Sequence, residues 1–348
     1  MKLLILTQKI DKNDPLLGFF QAWITEFAKH CDEVTVIGLM VGDYELPKNV
    51  RVLSLGKEGG VSRMKYIFRF YRYIIGERGH YDAVFVHMNP IYVVLGGVLW
   101  KIMRKQIMLW FTHRNVDWQL RYSEKIADLV FTAAEQSFNI RSPKVHIVGH
   151  GIEVKKFIMT PKERKAPLEI LHMGRITKIK NCDTLIETAA LLKKNLGPIS
   201  VSFAGETITK EDKDYKRHLD QLIIKYGLTD EVTFVPVGYD QVAGFFERSD
   251  ITVNLTPTGG IDKAVLSGVI ALRPTFVSNH AFVGIFKEHA DRFIFKLRDP
   301  NDLSEKITAF LESKDQREVM QELSTRVQQE YSVERLIEKI MNIYETSR

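Results

Sequence analysis

Residues 254–279 read NLTPTGGIDKAVLSGVIALRPTFVSN, and the reading of this stretch decides how the rest of the chain is understood. An apolar run over 251–255 ends in Thr256-Pro257-Thr258-Gly259-Gly260. A helical run is predicted over 262–271, and a second strand opens after Pro274. A strand that passes through glycines into a helix start is how α/β folds receive a phosphorylated ligand. Glycine lets the backbone come close, and unpaired N–H groups and the helix dipole favour an anion. The same residues also suit an ordinary strand-to-helix turn, so the choice rests on the chain around them.

Working outward, the alternation of apolar and amphipathic runs continues in both directions. Upstream, strands are predicted over 169–173, 200–204, 232–235 and 251–255, with helices over 183–194, 215–226 and 242–246. The first half repeats the scheme, with strands over 2–7, 34–39, 50–55, 83–87, 107–112, 129–133 and 145–148. Its helices are predicted over 16–30, 62–76 and 92–103. Near-continuous apolar strands separated by helices indicate parallel sheets covered on both faces. Between the halves, residues 155–167 turn polar and basic and carry Pro161 and Pro167, which marks a linker. The expected organisation is a Rossmann-like domain over 1–155, a linker over 156–167, a second Rossmann-like domain over 168–330 and a closing helix over 331–348, capped by Ser332. Two such domains are expected to face each other across a cleft at the carboxyl ends of their strands, where ligands bind in these folds.

At 348 residues the chain is long for one core, and 45% apolar with 26% charged residues is the composition of a globular protein. Cys31 and Cys182 stand far apart without metal-ligand spacing, which argues against a disulfide framework or structural zinc and fits a reducing cytoplasm. The apolar start, MKLLILTQ, is too short for a signal peptide, and the apolar run over 91–100 is too short to span a bilayer. A net charge of +6 is modest for nucleic-acid binding and suits anionic ligands or an anionic membrane face. The expected location is cytoplasmic, with peripheral contact at the cytosolic face of a membrane through 62–78, where Arg63, Lys65, Arg69, Arg72 and Arg78 alternate with aromatic and aliphatic residues.

The strand over 169–173 ends in Gly174-Arg175, followed by Ile176-Thr177-Lys178-Ile179-Lys180-Asn181. This places two cations at the carboxyl edge of a sheet, and Asn181 is expected to cap the next helix. A planar guanidinium and a mobile ammonium together suit a diphosphate. GRITKIKNCDTLIETAALL resembles the Gly-Arg … Lys-Gly-x-x-x-Leu-Ile-x-Ala segment of retaining glycosyltransferases of family four, which have the GT-B fold. KVHIVGHGIEVKKF is similar to their interdomain sequence, SVERLIEKIMNIY to their closing helix, which crosses back to the N-terminal domain, and residues 254–279 to the segment opposite the Gly-Arg turn.

The resemblance implies sugar transfer from a nucleotide-sugar, with retention of configuration and no bound metal, to a glycan or lipid-linked acceptor. The nucleotide-sugar, a UDP- or GDP-sugar, is then a co-substrate, and no cofactor is expected. Arg175 and Lys180 would neutralise the leaving diphosphate, and His113, after the strand over 107–112, would contact the donor sugar. Fixed cations stabilise the charge that accumulates as a glycosyl–phosphate bond breaks. Gly18, Gly174, Pro236, Gly259, Gly260, Asp262, Lys263, Leu266 and Ser267 are the expected donor-binding positions. His87 and Asn89 are acceptor-side candidates, and His150 is expected to be structural.

The chain departs from the family where members carry Glu, seven residues, Glu: the aligned positions hold Gly259 and Ser267. Ser267 offers a ribose one hydrogen bond rather than the acceptance of a carboxylate. Leu272 stands where glycine is common. These departures motivate a rival reading, a non-catalytic member that binds a nucleotide-sugar or glycan; a phosphate-dependent or epimerase-type enzyme of the same fold is a third. Asp212-Lys213-Asp214 has the form of a metal-binding Asp-x-Asp but falls in a charged helix start, and is expected to be solvated. No glycine-rich dinucleotide fingerprint follows the first strand, which disfavours a nicotinamide dehydrogenase.

Overall fold

The structure, a computed structural model, describes residues 1–347. The chain divides into two compact units, Met1–Gly151 with Val333–Arg348, and Ile152–Ser332.

The first unit contains β1 (Lys2–Ile10), α1 (Phe20–His30), β2 (Glu33–Val41), β3 (Val50–Ser54), α2 (Arg63–Gly76) and β4 (Ala83–His87). It continues with α3 (Ile91–Ile102), β5 (Gln106–Trp110), α4 (Trp118–Ile126), β6 (Leu129–Thr132) and β7 (Val145–Ile147). The strands form one sheet in the order β3-β2-β1-β4-β5-β6-β7, parallel throughout. Side chains alternate across a strand, and here both faces are buried, which is why the strands read as unbroken apolar runs. Leu3 and Ile5 of β1, Ala83 and Phe85 of β4, and Met108 and Trp110 of β5 enter one core with Phe20, Trp23 and Phe27 of α1. Their neighbours Leu4, Leu6, Val84, Val86, Ile107 and Leu109 enter the other, with Phe70 and Ile74 of α2 and Val93 and Trp100 of α3.

The second unit contains α5 (Val154–Phe157), β8 (Leu168–Met173), α6 (Cys182–Leu196), β9 (Ile199–Ala204), α7 (Lys210–Tyr226) and β10 (Val232–Val235). Then come α8 (Val242–Arg248), β11 (Ile251–Asn254), α9 (Lys263–Ile270), β12 (Thr275–Val277), α10 (Val283–Phe286), α11 (Ala290–Phe293), α12 (Pro300–Glu312) and α13 (Gln316–Tyr331). Its sheet runs β10-β9-β8-β11-β12, again parallel, around one continuous core. The last helix, α14 (Val333–Thr346), belongs to the first unit. Val333, Leu336, Ile337, Ile340, Met341 and Tyr344 recur at helical spacing and are buried in the core that α1 also lines.

Three element boundaries differ from the sequence expectation for local reasons. Asp14 Oδ1 accepts the N–H groups of Leu16 and Leu17 at 2.9 and 2.8 Å. This turn holds the chain out of helix until Phe20. Helix α7 begins at Lys210 rather than 215, because Thr209 and Asp212 form a reciprocal capping box. Asp212 is therefore buried and accepts from Thr209 N at 2.9 Å, which corrects the expectation of a solvated carboxylate. The start of the polar stretch around 155 is helical, with Phe157 of α5 buried.

Candidate functional site

In the second unit, β8 runs out into Gly174, whose φ of 148° suits glycine. Pairing with the neighbouring strand continues past its end: Gly174 N–H donates to Ala204 O at 2.9 Å and Ile176 N–H to Glu206 O at 3.0 Å. A Cβ on Gly205 would stand 2.0 Å from the Gly174 carbonyl oxygen, so the two strand ends pass at glycine distance. Arg175, next in the chain, is exposed, and its guanidinium has no bonded partner among the described residues.

The loop after Arg175 ends at Asn181, which adopts the left-handed conformation with φ 44°. Asn181 stands at the start of α6, but its side chain does not cap the helix. Its Nδ2 donates to Leu255 O at 3.0 Å and its Oδ1 accepts from Arg298 Nε at 2.8 Å. Anchored in this way to the end of β11, the loop delivers Lys180 to the stretch 254–279. Lys180 Nζ donates to Thr256 Oγ1 at 2.9 Å and to Asp262 Oδ2 at 2.6 Å. Asp262 also accepts from Asn254 Nδ2 at 2.9 Å and, through Oδ1, from Ala264 N at 3.1 Å. Burial works to raise the Asp262 carboxyl, but the Lys180 ammonium and these hydrogen bonds outweigh it and hold it well below the usual range. Burial also holds the neighbouring Lys263 ammonium well below its ordinary value, against the attraction of Asp262.

The glycine turn is engaged inward. Gly259 N–H donates to Asn279 Oδ1 at 3.2 Å, and Asn279 Nδ2 donates to Gly260 O at 2.9 Å. Together with Asp262 accepting at Ala264, this corrects the expectation of free N–H groups awaiting a phosphate at Gly259 and at Ala264. Leu266 is fully buried in the core, so its side chain offers no binding surface, and Ser267 is also buried. Pro236 lies exposed just beyond β10.

In the first unit, β5 ends at Trp110 and His113 follows on an exposed segment, its Nδ1 accepting from Asn115 N at 3.2 Å. His87 differs from its expected edge position. It is 2% exposed, shares a 3.3 Å hydrogen bond with Thr7 Oγ1, and stacks on Phe20 with ring centroids 3.9 Å apart. Asn89 is half-buried, with its N–H on His87 O at 2.9 Å. Gly18 is buried and its N–H is taken by Asp14 O at 2.9 Å, so that backbone donor is not presented to a ligand. His150 is buried near Trp110.

Sequence reasoning missed His172, Asn254 and Asn279. His172 is fully buried in β8, with Nδ1–H on Val253 O at 3.0 Å and Nε2 without a hydrogen-bond partner. Burial and the nearby Lys180 charge push it down to about 4, so the ring is neutral near pH 7. A polar residue inside an apolar strand, as in LEILHM and ITVN, was the available signal. Glu288, His289 and Glu322 form a cluster with metal-like spacing elsewhere in the unit, and both glutamates already pair with Arg326.

Solved structures share this fold over nearly the whole chain. Anabaena HepE, in complex with UDP-glucose, is 14% identical with a TM-score of 0.77, covering 99% of this chain and 100% of that one. Sucrose-phosphate synthase from Thermosynechococcus elongatus is 15% identical with a TM-score of 0.78, covering 99% of each chain. A point mutant of S. aureus TarM, in complex with fondaparinux, α-GlcNAc-glycerol and UDP, is 12% identical with a TM-score of 0.73, covering 99% of this chain and 100% of that one. No curated protein sequence matches the chain. The family model for glycosyl transferases group 1 matches residues 154–327, half of the 348 residues. With two parallel α/β units, a cationic Gly174-Arg175 edge and a family match across the unit that carries it, the chain belongs to the glycosyl transferases group 1 and has the GT-B fold.

Proposed function

We propose that the protein is a retaining, metal-independent glycosyltransferase that moves a sugar from a UDP- or GDP-sugar to a glycan or lipid-linked acceptor. The observation that carries this is the exposed Arg175, without a bonded partner among the described residues, five residues before Lys180 on the loop that leaves the carboxyl edge of β8. A departing diphosphate gathers negative charge, and cations held there stabilise it more in the transition state than in the ground state. His113 takes the sugar-contacting role that the family resemblance gives it, and the first unit receives the acceptor. Turnover of a panel of UDP- and GDP-sugars, with the anomeric configuration of the product determined, tests the reading. Arg175→Ala is expected to lower turnover by roughly a hundredfold or more, the size of losing one fixed charge-stabilising donor. Turnover within about twofold of wild type would sink the assignment of Arg175.

The acceptor side is proposed to work at an anionic bilayer. Met64 and Phe68 of α2 are 74% and 69% exposed, and Arg63, Lys65 and Arg72 lie on the same helix. Sedimentation with vesicles of phosphatidylglycerol, against phosphatidylcholine alone, checks this, and equal binding to both removes the electrostatic part.

A second reading, a non-catalytic nucleotide-sugar or glycan-binding member, is favoured by Gly259 and Ser267 standing where carboxylates are expected. Binding of a UDP-sugar without any slow hydrolysis or transfer would support it.

A further inference from the structure

We propose that Asp262 is an internal counterion: it occupies Lys180 in the unliganded protein, and the diphosphate of the donor takes its place. Asp262 thereby sets how tightly the nucleoside diphosphate is held. The inference rests on the preceding reading that Lys180 meets a diphosphate.

An ammonium has three N–H donors. Thr256 Oγ1 and Asp262 Oδ2 take two of those on Lys180. The carboxylate does not depend on Lys180 for its place, because Asn254 Nδ2 and Ala264 N hold it from β11 and from α9. It is thus a fixed anion at the start of α9, where a ligand phosphate was expected. An uncharged acceptor stands in the same neighbourhood. A Cβ on Gly174 would lie 3.8 Å from Lys180 Nζ and 3.9 Å from His172 Nε2, the imidazole nitrogen without a partner. The neutral ring supplies no negative charge, so Asp262 is the carboxylate that neutralises Lys180. A phosphate oxygen brought to the same ammonium meets the Asp262 carboxylate as a like charge. The lysine is therefore transferred between anions rather than shared, and each nucleoside diphosphate binds against this competition.

Asp262→Asn tests the idea without removing the helix cap, since asparagine caps as well as aspartate; Asp262→Ser serves as a second capping variant. Calorimetric titration with UDP and GDP, with uridine and guanosine as phosphate-free controls, is the measurement. The expected result is a diphosphate Kd roughly tenfold tighter in Asp262→Asn, the size of one competing charge-assisted hydrogen bond. Nucleoside affinity should stay unchanged, and the gain should vanish in a Lys180→Met background. Diphosphate binding by the wild type that either variant weakens or leaves unchanged overturns the inference and leaves the donor reading standing. Failure of wild type and variants alike to bind either diphosphate overturns both.

Discussion

Gly205 follows β9 at the point where the chain beside it turns into Gly174-Arg175, and a single methyl group there tests how that edge is held. A Cβ on residue 205 would lie 2.0 Å from the Gly174 carbonyl oxygen, 2.6 Å from its carbon and 3.3 Å from Arg175 N. Carbon–oxygen contacts close at about 3.3 Å, so the backbone must yield by about 1.3 Å. No side chain can rotate away, because all three atoms belong to the main chain. Overpacking of this kind costs about 1–3 kcal/mol, which for a unit of this size corresponds to a fall in Tm of roughly 2–4 °C per kcal/mol. The functional effect should exceed the loss of stability. Displacing Gly174 and Arg175 by about 1 Å from a productive geometry costs on the order of a hundredfold in rate. Thermal unfolding and donor turnover of Gly205→Ala are the assays. Gly244→Ala, in α8, is the control, because its added methyl would meet only the Arg248 Nη1 at 3.7 Å. A Gly205→Ala protein with wild-type Tm and wild-type turnover would refute both the close approach and the role given to the edge.

Other changes separate the cores and the charges. His172 sits at about 4 in the folded state against an ordinary 6.5, so the unfolded chain binds its proton first as pH falls. Stability is therefore fully present above about pH 6.5 and is lost progressively toward pH 4, by about 3 kcal/mol in all. His172→Phe should flatten that part of the urea-denaturation profile between pH 7 and pH 4.5, and an unchanged slope would contradict it. Ile340→Ala, at a fully buried position of α14, should cost about 2–5 kcal/mol by equilibrium unfolding. A loss below about 1 kcal/mol would mean that α14 contributes little to the first unit's core. Lys180→Met strands the Asp262 carboxylate, and breaking this half-buried pair from one side should cost up to about 3 kcal/mol, the lower end of the range for a fully buried pair. Adding Asp262→Asn should recover most of that loss, and an additive double variant would show that the two do not interact. The Asp262 carboxyl is held below its unfolded value, so the pair's stabilisation is present above about pH 4 and is lost as pH falls further.

The strands were legible because two-sided burial leaves almost nothing polar in them: β4 and β10 were read at their observed bounds, and β1 and β8 within a few residues. The strand order within each sheet follows from register and twist between distant segments, which no local pattern carries. Helix starts were harder to place. The charged run before Tyr215 looks like a solvated helix start until Thr209 and Asp212 are seen to cap each other, and residues 16–19 look helical until Asp14 claims the N–H groups of Leu16 and Leu17. At the candidate site the sequence displays the residue types but not their partners. Asn181 has the right identity for a helix cap and the wrong dihedral angles for one. Its side chain instead spans to Leu255 and Arg298, 74 and 117 residues away.

The same separation between residue type and partner bears on the missing carboxylates. Read along the chain, Gly259 and Ser267 are simple losses, and the site looks depleted of acid. In space, a carboxylate remains at the start of α9, on Asp262, and it is bonded to Lys180. In the glycine turn the Gly259 N–H is taken by Asn279, and in the first turn of α9 the Ala264 N–H is taken by Asp262, so these two donors are already engaged. On the proposed reading, the attraction for a diphosphate then falls on two side-chain cations in different states: Arg175, exposed and without a bonded partner among the described residues, and Lys180, already neutralised. An exposed cation is screened by salt, whereas a half-buried pair is screened much less. Capture of the donor, on the proposed reading, therefore depends first on Arg175, and the strength with which its phosphates are held depends on what Asp262 gives up.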